Sequence, residues 1–310
     1  MIKLTGDNIF KVLVAVIAAS AIVILLLNTY VLITGSANVF ATSGFGFISG
    51  RNWNFDIPSF GVLPAILGTL ITSGIALLVG VPLSLGIAIF IVEMAPRAIR
   101  VPFSYLVEML AAVPSVIYGL WGMLVLRFWV LDYIETPLNT HLGWFPLFSG
   151  TPTGYGFLTA GLILAIMIIP TVASVSREVI SAVPNSIREA AYGIGATKWE
   201  VIRHWVLSYG RSGIFGAIIL GLGRAIGETM AVTMVIGNAS GASGMPVSLF
   251  QTGQTLPSLI AGGFFDSQTA LLSSAYIGAG LVLLAISLLI NVAAHVMMTR
   301  VLKVKGGAVE

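Results

Sequence analysis

The sequence predicts an all-α integral membrane protein with six transmembrane helices, and two observations carry that prediction. Of its 310 residues, 57% are hydrophobic and only 9% are charged, with a mean hydropathy of +1.01. A soluble domain carries about a quarter charged residues. Six apolar windows are also long enough to cross a bilayer, which takes about 20 helical residues. They lie at about residues 12–33, 63–92, 103–131, 157–180, 213–238 and 273–299.

The first four windows carry signals of their own. The first follows Lys3 and Lys11 and is too long for a signal-peptide core of roughly 7–15 residues, so we expect a retained membrane anchor. The second and third are long enough to require tilt or a kink. Pro82, Pro114 and Pro170 lie inside the second, third and fourth windows, and each removes one backbone hydrogen bond. Packing kinks and breaks that line a substrate path both account for these prolines.

Basic residues predict which helix ends face the cytoplasm. With the N-terminus inside, the outer loops hold only Arg51, with Arg127 near the outer end of the third helix. This is the positive-inside pattern, and it predicts a multi-pass cell-membrane protein with both termini cytoplasmic. The isoelectric point of about 9.3 therefore reflects orientation in the lipid bilayer, and no nucleic-acid partner is expected. The inner segments hold Lys3, Lys11, Arg97, Arg100, Arg177, Arg188, Lys198, Arg203, Arg211, Arg300, Lys303 and Lys305.

The predicted outer loops, at about residues 34–62, 132–156 and 239–272, are rich in Gly, Ser, Thr, Pro and aromatic residues. They are long enough to contact a soluble partner, and they equally serve as plain connections. Tryptophans in and next to these loops suit the aromatic belt at the membrane–water interface. These are Trp53, Trp129 and Trp144.

A polar segment, EAAYGIGATKWEVIRHWVLS, interrupts the apolar pattern between the fourth and fifth windows on the inner side. Asn185 is a favourable N-cap, and two helical turns are expected over Ser186–Tyr192. Gly193 and Gly195 then supply the backbone conformations that end a helix. The segment begins as a short helix at the inner surface.

A second short helix follows from a capping-box pattern. Thr197 precedes Glu200 by three residues, so the two side chains can cap the helix reciprocally, and we expect a helix from Lys198 to about Leu207. The predicted helix–turn–helix exposes Glu189 beside small alanines, a surface that suits insertion into a cleft on another protein. An amphipathic connector that only separates neighbouring spans is the alternative.

This segment resembles the EAA loop of ABC-importer permeases, whose pattern is EAA, three residues, Gly, nine residues, Ile, any residue, Leu-Pro. The sequence departs from the pattern at Trp205, where the family has Ile, and at Ser208, where it has Pro. In that family the loop forms a coupling helix that sits on a cytoplasmic ATPase. The matching positions are Glu189, Ala190, Ala191, Gly195 and Leu207.

The fifth window contains two charged residues near mid-membrane. Placing Arg224 there costs at least about 2.5–3.5 kcal/mol on insertion scales, so it should face a bundle interior or a cavity. Glu228, four residues on, is expected one turn along the same face, where it can pair with Arg224. Two hypotheses stay open: a structural ion pair, or a translocation path in which Arg224 meets an oxyanion. Thr229 and Thr233 add hydroxyls to that path.

Other features of the sequence are weaker. Gly223 and Gly227 form a GxxxG spacing that lets another helix approach closely. Glu108 is expected to pair with an inner arginine such as Arg100 or to contribute to gating, together with Pro114. No His, Asp and Glu spacing indicates a metal site. A serine-nucleophile elbow is absent as well. An intramembrane enzyme using Glu228 or Glu108 as a base would lack a partner nucleophile.

No P-loop motif, G-x-x-x-x-G-K-[ST], occurs in the sequence, so ATP chemistry must come from another chain. A unit with one arginine-bearing span is also too small to enclose an alternating-access path. We therefore expect a pseudo-symmetric second permease with the path between the two.

Three stretches together are similar to the PstC-type permeases of phosphate importers. They are LAAVPSVIYGLWG at Leu110–Gly122, the EAA loop, and GRAIGETMAVTMVIGN from Gly223. The resemblance covers about residues 61–300 and implies a type I ABC importer permease core there. Residues 1–60 then form an N-terminal helix and outer loop, residues 181–211 contain the coupling loop, and residues 301–310 form a cytoplasmic tail.

The resemblance also implies roles and partners. Arg224 and Glu228 correspond to charged positions implicated in phosphate passage. The partners would be a PstA-type permease, a PstB-type ATPase dimer that holds ATP and Mg, and an extracytoplasmic PstS-type phosphate-binding protein; this chain itself would hold no cofactor. The alternatives are a permease subunit for sulfate or molybdate, and a passive anion channel.

Overall fold

The structure is a computed structural model that describes residues 6–54 and 59–301. Lys3, Lys303, Lys305 and nearly all of the predicted tail lie outside the described residues, as does the side chain of Arg300. The helices described are α1 (Gly6–Gly35), α2 (Ala37–Ser43), α3 (Gly46–Ser49), α4 (Leu63–Ile89), α5 (Arg97–Ala111), α6 (Ser115–Trp121), α7 (Arg127–Val130), α8 (Thr136–Leu142), α9 (Phe157–Ser181), α10 (Asn185–Gly193), α11 (Lys198–Glu200), α12 (Leu207–Tyr209), α13 (Arg211–Gly227), α14 (Met230–Val235), α15 (Leu256–Gly263) and α16 (Ala270–Val301).

Short segments of other geometry join or extend these helices. Wider π-helical turns occupy Phe90–Met94, Gly122–Leu126, Leu131–Glu135 and Val201–Val206, and single 3₁₀ turns occupy Pro146–Phe148 and Gly241–Gly244. Strands β1 (Trp53–Asn54) and β2 (Ser59–Phe60) pair antiparallel, with Trp53 opposite Phe60.

The predicted all-α membrane fold is confirmed. Five helical stretches in the described residues are long and apolar enough to cross a membrane, at Phe10–Gly35, Leu63–Met94, Ser115–Leu142, Phe157–Ser181 and Ala270–Thr299. A sixth arises if the bent pair Lys198–Tyr209 and Arg211–Gly227 counts as one span. Its two parts meet at an angle of 73°.

The third predicted span is broken, and its helix is longer than its apolar window. Helix α5 ends at Ala111 and α6 begins at Ser115, because Pro114 adopts an extended conformation (ψ 140°). The helical stretch then continues to Leu142, so the predicted outer loop from residue 132 was wrong for its first eleven residues. An apolar window marks where a helix meets hydrocarbon, whereas polar residues can extend the same helix into water.

Contacts at both ends of α9 fix how this broken span runs along it. Glu108 on α5 pairs with Arg177 near the C-terminal end of α9. At the other end, a side chain at Gly154, just before α9, would collide with the Arg127 carbonyl. Residues 108–127 therefore run antiparallel to α9 along most of its length.

Helix α9 is the centre of the bundle. In its apolar window 61% of residues are buried, against 0% in α1, which packs on α16 at the periphery. Glycines allow close approach on two sides of α9: Gly80 of α4 lies against Ile168, and Gly221 of α13 lies against Val172. This close packing of the helices fixes the positions of the polar side chains on α9 and α13 relative to one another.

The β1–β2 hairpin belongs to a second apolar cluster. Trp53 packs edge-on against Phe60 and contacts Tyr276 of α16, with ring centroids 5.1 and 5.3 Å away. The prediction that Trp53 belongs to an exposed aromatic belt was therefore wrong, since packing of the hairpin against α16 buries its ring. Trp129 and Trp144 are exposed, as a belt requires.

The inner connector forms the predicted helix–turn–helix with shifted boundaries. Pro184, with ψ 138°, occupies the N-cap position that was assigned to Asn185, and α10 runs from Asn185 to Gly193. Gly195 has φ +85°, a conformation that favours glycine, and it reverses the chain. The capping box of Thr197 and Glu200 is confirmed.

The second helix of the connector is longer and less regular than predicted. It passes through π-helical turns at Val201–Val206, continues past Leu207 and ends at Tyr209. Gly210 lies at the bend into α13.

Candidate translocation and coupling sites

Arg224 lies on α13 and is directed toward α9. Its Nη1 donates a hydrogen bond to the Thr171 hydroxyl at 3.0 Å, and the residue is half-buried. The Tyr118 phenol lies within electrostatic reach of the guanidinium. Within the described residues the other N–H groups of Arg224 have no hydrogen-bond acceptor, although none is sealed from solvent. A half-buried guanidinium with unused donors can bind an oxyanion.

Glu228 is not the partner of Arg224, and the predicted ion pair was wrong. Helix α13 ends at Gly227, the chain turns away after Glu228 (ψ 128°), and within the described residues no ion pair joins the two side chains. The Glu228 carboxylate instead accepts a hydrogen bond from the backbone N–H of Ala231 at 3.3 Å. It therefore caps the N-terminal end of α14, where a negative charge is favoured.

The two predicted threonines are engaged with the same break. The Thr229 hydroxyl donates to the Gly227 carbonyl at 3.3 Å, and the Thr233 hydroxyl donates to the Thr229 carbonyl at 2.7 Å. The Gly227 carbonyl, at the end of α13, thus gains a side-chain donor, and the Thr229 carbonyl accepts both the backbone N–H and the hydroxyl of Thr233. Both hydroxyl oxygens can still accept a hydrogen bond.

Glycines divide the surface of α13 into two sides. A side chain added at Gly213 or Gly221 would collide with valines of α9, so this side is packed within the chain. Gly216, Gly223 and Gly227 have no atom of the described chain within 4 Å of such a side chain. The GxxxG pair predicted for helix contact therefore lies on the open side, which the described residues leave uncovered.

Glu108 and Pro114 lie on the span that faces Arg224. The Glu108 carboxylate pairs with Arg177 at 2.8 Å, so the prediction of an inner arginine was right and the choice of Arg100 was wrong. Arg100 donates to the carbonyls of Val92 and Ala95 instead. Across the break at Pro114, the Tyr118 hydroxyl donates to the Leu110 carbonyl at 2.9 Å.

The outward side of the connector is a surface with exposed apolar and acidic side chains, which we call the docking face. Glu189 and Ala190 are exposed on α10 and Gly195 at the turn, whereas Ala191 and Leu207 pack against the chain's own core. The docking face comprises Glu189, Ala190, Tyr192, Gly193, Ile194 and Trp199.

The capping box of the connector stabilises the charged form of one of its own side chains. The pKa of Glu200 is lowered because the Thr197 backbone N–H and hydroxyl both donate to its carboxylate at 2.8 Å.

An ion pair beneath the docking face was missed by sequence reasoning. Arg188 donates from Nε and Nη2 to the Glu93 carboxylate at 3.1 and 2.7 Å. The two residues are 95 positions apart, so no local spacing indicates the pair. Thr171 and Tyr118 near Arg224 were also missed, because hydroxyls in apolar spans are common and carry no distinguishing pattern.

Within the described residues no group of three His, Cys, Asp or Glu side chains could hold a metal ion.

The class of protein follows from three features together, and it is that of multi-pass membrane permeases. The features are several apolar spans, an arginine inside the bundle beside a helix break, and an exposed helical connector.

The chain belongs to the binding-protein-dependent transport system inner membrane component family, whose model matches residues 80–303. It is therefore a multi-pass inner-membrane permease. It is similar to the phosphate transport system permease protein PstC of Mesorhizobium japonicum, with 43% identity over 95% of this chain and 90% of the relative. The Haemophilus influenzae protein of the same name is 42% identical over 97% of this chain and 95% of the relative.

The same architecture occurs in solved structures. A chain of a bacterial alginate ABC transporter, in complex with an alginate-bound periplasmic protein, superposes with a TM-score of 0.62 at 19% identity. The match covers 97% of this chain and 99% of that one. At this identity the likeness concerns the fold, which is that of an ABC importer permease.

Proposed function

We propose that the chain is one of two permease subunits of an ATP-driven phosphate importer. The observation that carries this proposal is similarity over almost the whole chain to proteins named as phosphate transport permeases. Phosphate enters from the extracytoplasmic side and leaves in the cytoplasm, where both termini of this chain lie. The chain itself catalyses no reaction, and ATP and Mg are bound by a separate ATPase.

Arg224 supplies the positive field that draws the anion to mid-membrane. Its unused N–H groups suit phosphate oxygens, because guanidinium groups donate to such oxyanions with paired hydrogen bonds. Thr171 holds this guanidinium with a hydrogen bond, and Tyr118 adds a second neutral hydroxyl within electrostatic reach of it. Glu228 and the threonines stabilise the break that lets α13 and α14 diverge next to Arg224, and Glu108 with Pro114 fixes the facing span.

The open side of α13 supports a second permease of the PstA type, with the path between the two chains. The docking face of the connector suits a PstB-type ATPase dimer, since its exposed Tyr192, Ile194 and Trp199 gain from burial. The outer loops receive phosphate from a PstS-type binding protein. Residues 61–300 form the permease core in this arrangement, and residues 1–60 are an addition to it.

The experiment is uptake of labelled phosphate into proteoliposomes that contain both permeases and the ATPase, with binding protein outside and ATP enclosed. We expect ATP-dependent accumulation that a hundredfold excess of sulfate or molybdate leaves unchanged. Competition by sulfate or molybdate would assign the chain to another oxyanion. Phosphate flux without ATP would indicate a passive channel instead.

A further inference from the structure

Neighbouring residues of α10 face opposite ways. Glu189 and Ala190 lie on the docking face, whereas the Arg188 side chain turns inward and is only 15% exposed. Because the two faces share one rigid helical turn, a partner that displaces Glu189 also displaces Arg188. The inward contacts of Arg188 therefore decide which parts of the membrane domain feel that displacement.

Arg188 joins α10 to two spans. Nε and Nη2 donate to Glu93, which lies in the π-helical turn that ends the span Leu63–Met94. Nη2 also donates to the Ile180 carbonyl at 3.0 Å, and Nη1 donates to the Val183 carbonyl, both at the C-terminal end of α9. A cation is favoured there because the C-terminal end of a helix carries a partial negative charge.

The remaining contacts of α10 with the spans are apolar. Ala191 and Ile187 pack in a cluster with Ala88, Ile180 and Ile214. Such packing resists separation but specifies direction poorly. In the described part of the chain, the hydrogen bonds from α10 to the spans all come from Arg188.

We propose that Arg188, through Glu93 and the carbonyls that end α9, is the positioning residue that transmits displacement of α10 to the inner ends of α4 and α9. The inference rests on the proposed function, since it requires an ATPase that moves α10. Helix α9 carries Thr171, which holds Arg224 at 3.0 Å. The contacts of Arg188 with Glu93 and with the end of α9, which we call the tether, therefore connect the docking face to the helix that positions Arg224.

Proximity alone does not demonstrate coupling, so the experiment must measure transmission. The chain offers a matched control in Arg177, which also pairs with a glutamate at 2.8 Å on the inner side. That pair joins α5 to α9, does not touch α10, and leaves Glu108 48% exposed, against 11% for Glu93. Loss of the Arg177 pair removes a similar ion pair without cutting the tether.

Hydrogen exchange of the assembled complex, with and without ATP, reports transmission directly. In the wild type we expect ATP to change exchange in two peptides, residues 185–193 and residues 172–181. In Arg188→Gln the first change should persist and the second should be lost, while Arg177→Gln retains both. An ATP response of residues 172–181 in Arg188→Gln equal to the wild type overturns the proposal.

Transport per ATP hydrolysed provides the second readout. Arg188→Gln should lower phosphate taken up per ATP by about 2- to 30-fold, the range expected for loss of a coupling residue. Glu93→Gln should have a smaller effect in the same direction, and the double variant should match Arg188→Gln, because both act through one contact. Additive effects of the two substitutions contradict a shared tether.

Two further outcomes separate the possible failures. If Arg188→Gln no longer co-purifies with the ATPase and Arg188→Lys does not restore binding, Arg188 has only a structural role and the proposal is wrong. If the wild-type complex takes up no phosphate, the proposed function fails, but the exchange measurement still decides the tether because it requires ATP alone.

Discussion

The coupling connector and the segment around Arg224 both interrupt helices, but they are built on different principles. The connector holds its inward arginine in a partly buried ion pair and presents its acidic Glu189 to solvent. At mid-membrane, Arg224 has a neutral hydroxyl as its partner, and Glu228 is turned away to cap a helix. A permanent ion pair suits a connector that must transmit a displacement. An arginine without a permanent anionic partner suits a site that must bind an anion and release it.

The largest expected effect comes from removing the charge of Arg224. Arg224→Gln should lower phosphate uptake by about 100-fold or more, the scale seen when a preorganised electrostatic donor is lost. Assembly with the other subunits should be unchanged, because the substitution removes one hydrogen bond within the chain and leaves the packed side of α13 intact. Uptake in proteoliposomes and co-purification measure the two quantities.

Arg127 provides the control for that prediction. It lies beside Gly154, level with the start of α9, and its guanidinium is stacked on Phe128 and Tyr155, 4.2 and 4.4 Å from the ring centroids. Arg127→Gln should retain most of the phosphate uptake, because the wild-type Arg127 guanidinium is already engaged by two aromatic rings. Near-normal uptake by Arg224→Gln would refute the path, and equal losses in both variants would remove the distinction between the two arginines.

The next effect concerns the docking face. Glu189→Lys should weaken ATPase binding by about tenfold or more, because reversing a charge at an interface creates repulsion that costs several kcal/mol. Co-purification and ATP-driven uptake measure the loss. Glu178→Lys is the control, since Glu178 is also exposed but lies near the C-terminal end of α9. Normal ATPase binding by both variants would show that the ATPase does not bind at the docking face.

Sequence reasoning succeeded for the connector because its signals are local. A capping box and a glycine with φ +85° act within a few residues, so their consequences can be read from spacing alone. It failed at Glu228, since the end of α13 depends on packing of α14 against α6, where Gly119 allows Ala231 to approach closely. The pair between Arg188 and Glu93 likewise depends on how distant segments fold together.

A smaller effect distinguishes the two arrangements proposed for Glu228. Glu228→Gln keeps an oxygen that can accept the Ala231 N–H, so we expect only a few-fold loss of uptake and no loss of assembly. If Glu228 were instead the obligatory partner of Arg224, this variant would fail as completely as Arg224→Gln. Glu228→Ala removes the cap altogether and should lose stability by about 1 kcal/mol, measured by thermal unfolding of the purified complex.

The smallest effect tests how far local capping alone sustains the connector. Thr197→Ala should destabilise the turn at Lys198–Glu200 by about 1 kcal/mol, whereas Thr197→Ser keeps the hydroxyl and should behave as the wild type. The pKa of Glu200 is lowered in the fold, so its contribution is present above the unfolded pKa and is lost as pH falls through the folded value. Hydrogen exchange of this turn should therefore be constant near neutral pH and lose protection on acidification, and the loss should be smaller and complete at a higher pH in Thr197→Ala, because one donor to the carboxylate is missing and the folded pKa of Glu200 is lowered less. Identical pH profiles for Ala and Ser variants would show that packing against the spans, and not the capping box, holds the second helix in place.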